Sequence, residues 1–149
     1  VSLRTTFIVG FPGETDAEFE ELCAFVRSVG FDHVGVFTYS HEEGTTAHNL
    51  RDDVPAATKT KRRNALMAAQ KRIVRRAQKR RVGAEVQVMV DGPSPEHELV
   101  WRGRLAGQAP EIDPVVYFTD ANLETLRPGA LVQAEIVGSR EYDLVVRPL

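Results

Sequence analysis

Leu3-Arg-Thr-Thr-Phe-Ile-Val-Gly-Phe-Pro-Gly-Glu-Thr-Asp-Ala-Glu-Phe-Glu-Glu-Leu22 is the stretch on which the reading of the fold turns. Thr5 to Phe11 is β-branched and aromatic, with almost no polar side chain, as expected of a strand covered on both faces of a parallel sheet. Pro12-Gly13 ends it. Thr15 and Glu18 have capping-box spacing, and Asp16 and Glu18 suit the positive end of a helix. Phe19, Leu22, Cys23 and Val26 then recur at helical spacing, and Gly30 is the expected stop. His33 to Tyr39 reads as a second strand, so the segment predicts a parallel βαβ unit. In α/β sheets ligands bind beyond the carboxyl ends of strands, which places Phe11, Pro12, Gly13 and Glu14 at a candidate rim.

Two strands bury little by themselves. Together with the abrupt entry into a strand after Val1, they suggest a piece of a longer protein. Ser40 to Pro55 reads as irregular, with Glu42-Glu43-Gly44-Thr45 beyond the second strand. A long helix is expected over Ala56 to Arg81, its thin apolar stripe formed by Leu66, Met67, Ile73, Val74 and Ala77. From Ala84 the period becomes two: Val86, Val88 and Val90 alternate with Glu85, Gln87 and Met89. Asp91-Gly92-Pro93 is read as a turn. Leu99 to Ala106, Val115 to Phe118, Leu131 to Val137 and Asp143 to Val146 supply further strands. Five short strands in this space suggest a small closed antiparallel barrel of oligonucleotide-binding type. The fold class is thus α+β in two parts, residues 1–81 and 82–149.

Apolar content of 42% and charged content of 27% fit a soluble globular chain with no membrane-spanning run, and cytoplasmic residence is the simplest reading. One cysteine, Cys23, excludes an internal disulfide or a multi-cysteine metal site and reads as a small core residue. The net charge of −2 conceals three blocks: −6 over residues 1–50, +10 over 51–81 and −6 over 82–149. The eleven cations between Lys59 and Arg81 form either an RNA-binding face or a solvated one. Trp101, Tyr117, Phe118 and Tyr142 have the chemistry to stack on bases, but a barrel of charge −6 without a lysine repels phosphate and attracts a basic protein. Gly10-Phe-Pro-Gly-Glu-Thr lacks the spacing and the lysine of a phosphate loop. The four histidines show no metal-ligand spacing, and His41, Glu42 and Glu43 read as solvated loop residues.

Arg4-Thr-Thr-Phe-Ile-Val-Gly-Phe-Pro-Gly-Glu-Thr and Phe37-Thr-Tyr-Ser-His-Glu-Glu-Gly-Thr resemble the second half of the radical S-adenosylmethionine domain of methylthiotransferases. Gly107-Gln-Ala-Pro-Glu-Ile-Asp, Val115-Val-Tyr-Phe and Glu141-Tyr-Asp-Leu resemble the TRAM domain of the RimO-type branch, which modifies a ribosomal protein. Glu42-Glu43-Gly44-Thr45 and Ala109-Pro-Glu-Ile-Asp113 favour that branch over the tRNA-modifying one, whose first loop tends to carry Arg-Pro-Gly-Thr. The resemblance implies a partial radical-SAM α/β barrel followed by a TRAM barrel. It also implies methylthiolation of an aspartate in protein twelve of the small ribosomal subunit, using S-adenosylmethionine and two [4Fe–4S] clusters. Phe11, Pro12, Gly13, Phe37 and Tyr39 would then shape the adenosyl pocket. Trp101, Glu111, Asp113 and Tyr117 would meet the protein substrate. The family's cluster cysteines are absent, so no catalytic or metal-binding residue is assigned and the chain alone is expected to be inactive. Pro114 replaces the usual glycine after Glu-Ile-Asp. The alternatives are a fragment of a tRNA methylthiotransferase, or a non-catalytic RNA- or ribosome-binding module using helix 59–81.

Overall fold

A computed structural model describes residues 2–120 and 126–149, which divide into two compact units, 2–73 and 74–149. The first holds β1 (Arg4–Val9), α1 (Asp16–Val29), β2 (His33–Thr38) and a 3-10 turn (Thr46–Asn49). The division falls inside α2 (Ala56–Arg81). The second unit continues with β3 (Glu85–Ser94), β4 (His97–Arg104), β5 (Val116–Phe118), β6 (Leu131–Arg140) and β7 (Asp143–Pro148).

In the first unit β1 and β2 pair in parallel from Arg4↔His33 to Val9↔Thr38. Between them α1 starts on a complete capping box: Glu18 N–H donates to Thr15 Oγ1 at 3.2 Å and Thr15 N–H to Glu18 Oε2 at 2.8 Å. Val9, Phe19, Cys23, Val26, Val36 and Leu66 form the buried core. Gln70 is buried among these apolar neighbours because its amide donates to the Phe31 carbonyl at 2.8 Å. The expectation that the strands are covered on both faces is not met within this chain. Ile8 and Phe37 are register partners, 60% and 62% exposed, on the face opposite Val9 and Val36.

The second unit is a closed five-stranded barrel in the order β3-β4-β5-β7-β6, with β6 pairing back onto β3. Inward residues alternate as the period-two pattern predicts, and Val88, Val90, Val116, Phe118, Ala134, Ile136, Leu144 and Val146 fill the interior. Two sequence expectations need correction. The barrel is not wholly antiparallel, since β5 and β7 run parallel from Val116↔Leu144 to Phe118↔Val146. Nor does Asp91-Gly92-Pro93 turn the chain. It forms a bulge within β3, where the register shifts between Val90 and Gly92 and Gly92 takes φ 129. The hairpin turn comes later, at Pro95-Glu96, between the paired Ser94 and His97.

Candidate functional site

The rim beyond β1 is built around the Glu14 carboxylate. It accepts from the Gly10 N–H and from Arg62 Nη1, the latter at 3.0 Å. Arg62 Nη1 also donates to the Glu14 carbonyl at 3.0 Å, and Nη2 reaches Asp16 at 2.7 Å. Arg62 therefore clamps the strand-to-helix turn to α2, and its guanidinium holds the Asp16 carboxyl below the usual carboxylate range. Gly13 N–H donates to Asp53 at 2.8 Å, securing the other side of the turn.

The second strand end is tied by Lys59, whose Nζ contacts both Asp52 carboxylate oxygens at 2.7 Å and the Tyr39 carbonyl at 3.4 Å. Gly10 has no side chain because a Cβ there would strike the Lys59 stem. Lys59 and Arg62 are thus buried structural cations, and neither belongs to the solvated or RNA-binding face envisaged for helix 59–81. Sequence alone missed them because their partners lie 7 to 48 residues away.

Phe11 and Tyr39 come together at this rim, ring centroids 5.3 Å apart and edge to face, with Lys59 Nζ 5.0 Å from the Tyr39 ring centroid. His41 extends the row, its Nδ1 3.3 Å from the Tyr39 hydroxyl, and stacks on His48 at 4.5 Å. Phe37 stands apart beside Ile8, Pro12 is half-buried, and Gly13 is exposed. The Glu42–Thr45 loop is folded by Thr45, whose hydroxyl donates to the Glu42 carbonyl and accepts from His48 N–H. Among the described residues no three His, Cys, Asp or Glu side chains gather as a metal site. Cys23 is 5% exposed, and burial pushes its thiol pKa up.

On the barrel, the outer side of β4 and the following loop enclose a cleft of about 230 Å³ lined by Asp91, Arg102, Arg104, Glu111, Asp113 and neighbours. Arg104 pairs with Asp91 across the β3 bulge and donates to Met89 Sδ at 3.1 Å. The loop is braced from within. Leu105 N–H donates to Gln108 Oε1 at 2.7 Å, Gln108 Nε2 to the Pro114 carbonyl at 2.7 Å, and Ala109 N–H to Asp113 Oδ2 at 2.6 Å. Asp113 thus shapes the loop. Glu111 sits at its tip with φ 63, a left-handed conformation uncommon for such a side chain, and Ile112 beside it is 76% exposed. Tyr117 pairs with Arg102 on β5, between the inward Val116 and Phe118, so it lies on the cleft side of the sheet. Trp101 is half-buried and packs against the barrel core. The structure brings Glu111 and Asp113 to the cleft and sets Trp101 against the interior. Gln108 and the Asp91–Arg104 pair carry no sequence signal that singles them out.

A TRAM domain profile matches residues 82–148. A protein from Koribacter versatilis (strain Ellin345), named ribosomal protein uS12 methylthiotransferase RimO, is 47% identical over the whole chain. Proteins of the same name from Sorangium cellulosum (strain So ce56) and Myxococcus xanthus (strain DK1622) are 49% and 46% identical over 97% of it. The chain spans about three-tenths of the length of these relatives, 30%, 29% and 30% respectively. This chain therefore matches the C-terminal part of proteins named RimO and carries a TRAM domain in its barrel half.

Proposed function

We propose that the chain is part of an enzyme that methylthiolates an aspartate of ribosomal protein uS12, and that its TRAM barrel recognises that protein. The observation that carries this reading is the match of nearly the whole chain to part of proteins named ribosomal protein uS12 methylthiotransferase. The chemistry of the barrel agrees with it. Residues 82–149 hold 11 acidic and 5 basic side chains, and the braced loop presents Glu111 and Ile112 outward, a charged and apolar pair suited to a basic protein surface. In this reading the βαβ unit is part of a larger radical-SAM α/β barrel, and the exposed Ile8–Phe37 face is covered by the rest of it. Phe11, Pro12, Gly13, Phe37 and Tyr39 would line the adenosyl side of S-adenosylmethionine, with Phe11 and Tyr39 already paired edge to face. That cofactor supplies the radical chemistry when bound in the longer enzyme, which works in the cytoplasm. An iron–sulfur cluster does not fit the residues present, because the single cysteine is buried in a hydrophobic core, so the chain alone is inactive.

The test is titration of purified uS12 into the chain, with Glu111→Lys and Ile112→Asp beside wild type. Each variant should weaken binding about tenfold or more, equivalent to about 1.4 kcal/mol. Unchanged binding by both variants would remove the loop from substrate recognition. Tighter binding to a tRNA anticodon stem-loop than to uS12 would favour a tRNA-modifying enzyme instead.

A further inference from the structure

The basic character of α2 is divided along its length. Lys59 and Arg62 in the first turns are buried and paired with Asp52, Glu14 and Asp16. Arg72, Arg75, Arg76, Lys79, Arg80 and Arg81 are all exposed, and no carboxylate among the described residues pairs with any of them. At 3.6 residues per turn, Arg72, Arg75, Arg76 and Lys79 fall within an arc of about 100°, with Arg80 just beyond it and Arg81 on the far side. A purely solvated face is ordinarily stabilised by alternating charges at i,i+4, yet α2 contains no Asp or Glu. Arg72 instead faces Arg75 and Arg76, and Arg75 faces Lys79, each a mutually repelling pair. The helix dipole accounts for cations in the last turn, Lys79 to Arg81, but not for Arg72, Arg75 and Arg76.

We infer that this face of α2 is an RNA-binding surface that grips the phosphate backbone without reading sequence. Of the cations on or beside this face, Arg72, Arg75, Arg76 and Arg80 are arginines, whose planar guanidinium matches phosphate oxygens in a bidentate way. The face has no aromatic residue for stacking on bases, which confines it to backbone contacts. It also lacks the large apolar side chains that a membrane-surface helix inserts, Ala77 being the only apolar residue exposed in this half of the helix. The barrel's net charge of −6 disfavours it as the RNA groove, so helix and barrel divide the work: the helix takes RNA and the barrel takes protein. The helix assignment stands whether or not the barrel binds uS12.

The test uses the full chain with a fluorescently labelled 20-nucleotide oligouridine, followed by anisotropy as salt is varied. Four phosphate contacts give a slope of about −2.8 in log affinity against log salt for a single strand. In R72Q/R75Q/R76Q/K79Q the affinity should fall more than tenfold at low salt and the slope should collapse toward zero. Glutamine is a good helix former, so circular dichroism should show α2 intact. R72K/R75K/R76K should bind within about threefold of wild type, since charge is kept. The inference is overturned if the glutamine variant binds oligouridine like wild type. It is equally overturned if the affinity is lost on R102Q/Y117A in the barrel instead, or if phosphatidylglycerol vesicles bind wild type more tightly than oligouridine does.

Discussion

Replacing Gly103 with alanine tests how the barrel closes. Gly103 lies on β4 opposite Val90 and faces the interior. A Cβ there would sit well inside contact distance of the Met89 carbonyl oxygen, 2.8 Å from Val88 Cγ1 and 3.1 Å from Phe118 Cε2. Val88 is fully buried and Phe118 nearly so, and neither has room to retreat. Overpacking of this kind costs about 1–3 kcal/mol. The backbone of β3 must also move at Met89, beside its pairing with Arg104, at about 1 kcal/mol for a weakened ladder bond. The total is about 2–4 kcal/mol, or about 10–25 °C in the melting temperature of a unit this small. Trp101, the only tryptophan, packs on the same core two residues away, so its fluorescence during heating reports on the barrel directly. Gly138→Ala is the internal comparison. Its Cβ would meet nothing closer than Val145 Cβ at 4.0 Å, and its stability should stay within about 0.5 kcal/mol of wild type. A Gly103→Ala melting temperature within about 3 °C of wild type would refute the packing argument.

Arg62→Met leaves the Glu14 carboxylate, 13% exposed, without its cation and should cost about 2–4 kcal/mol in urea unfolding followed by circular dichroism; a loss under about 1 kcal/mol would mean the clamp is dispensable. Asp143 has the opposite sign from most carboxylates. Burial raises its pKa more than the Val115 N–H bond lowers it, so folding favours its protonated form and its contribution to stability improves as pH falls through the carboxylate range. Asp143→Asn should therefore melt above wild type at neutral pH, and that margin should shrink toward about pH 4. A margin constant with pH would remove desolvation as the cause.

Local chemistry was legible in the sequence. The Thr15–Glu18 capping box, the 3.6-residue recurrence of Phe19, Cys23 and Val26, and the alternation of Val86, Val88 and Val90 each encode an element within a few residues. What depends on distant partners was not. Asp91-Gly92-Pro93 has the composition of a turn, yet β4 pairs with it through Arg102 and Trp101 and holds it in the strand, so the glycine serves a bulge. Nothing near Lys59 or Arg62 distinguishes them from the exposed cations of the same helix, because their anions arrive from the β1–α1 turn and the residues before α2. Trp101 and Tyr117 looked equivalent as aromatic residues, and only the strand alternation set by pairing separates the core-packed ring from the one beside Arg102.

The three-residue β5 has a kinetic consequence. It is held by β4 on one side and by the parallel β7 on the other, with Leu144 N–H donating to the Val115 carbonyl and Thr119 N–H to the Val146 carbonyl. The barrel closes only when β6 also folds back on β3, a pairing that joins Met89 to Leu131 and Glu85 to Glu135 across 42 and 50 positions. Loop closure over such distances is paid before any contact rewards it, which puts barrel formation in the slower, millisecond-to-second regime of nonlocal β folds. Until β7 docks, β5 and β6 each present an open edge to other chains. Both edges are closed by the one strand β7, so refolding at high protein concentration is expected to lose material through them.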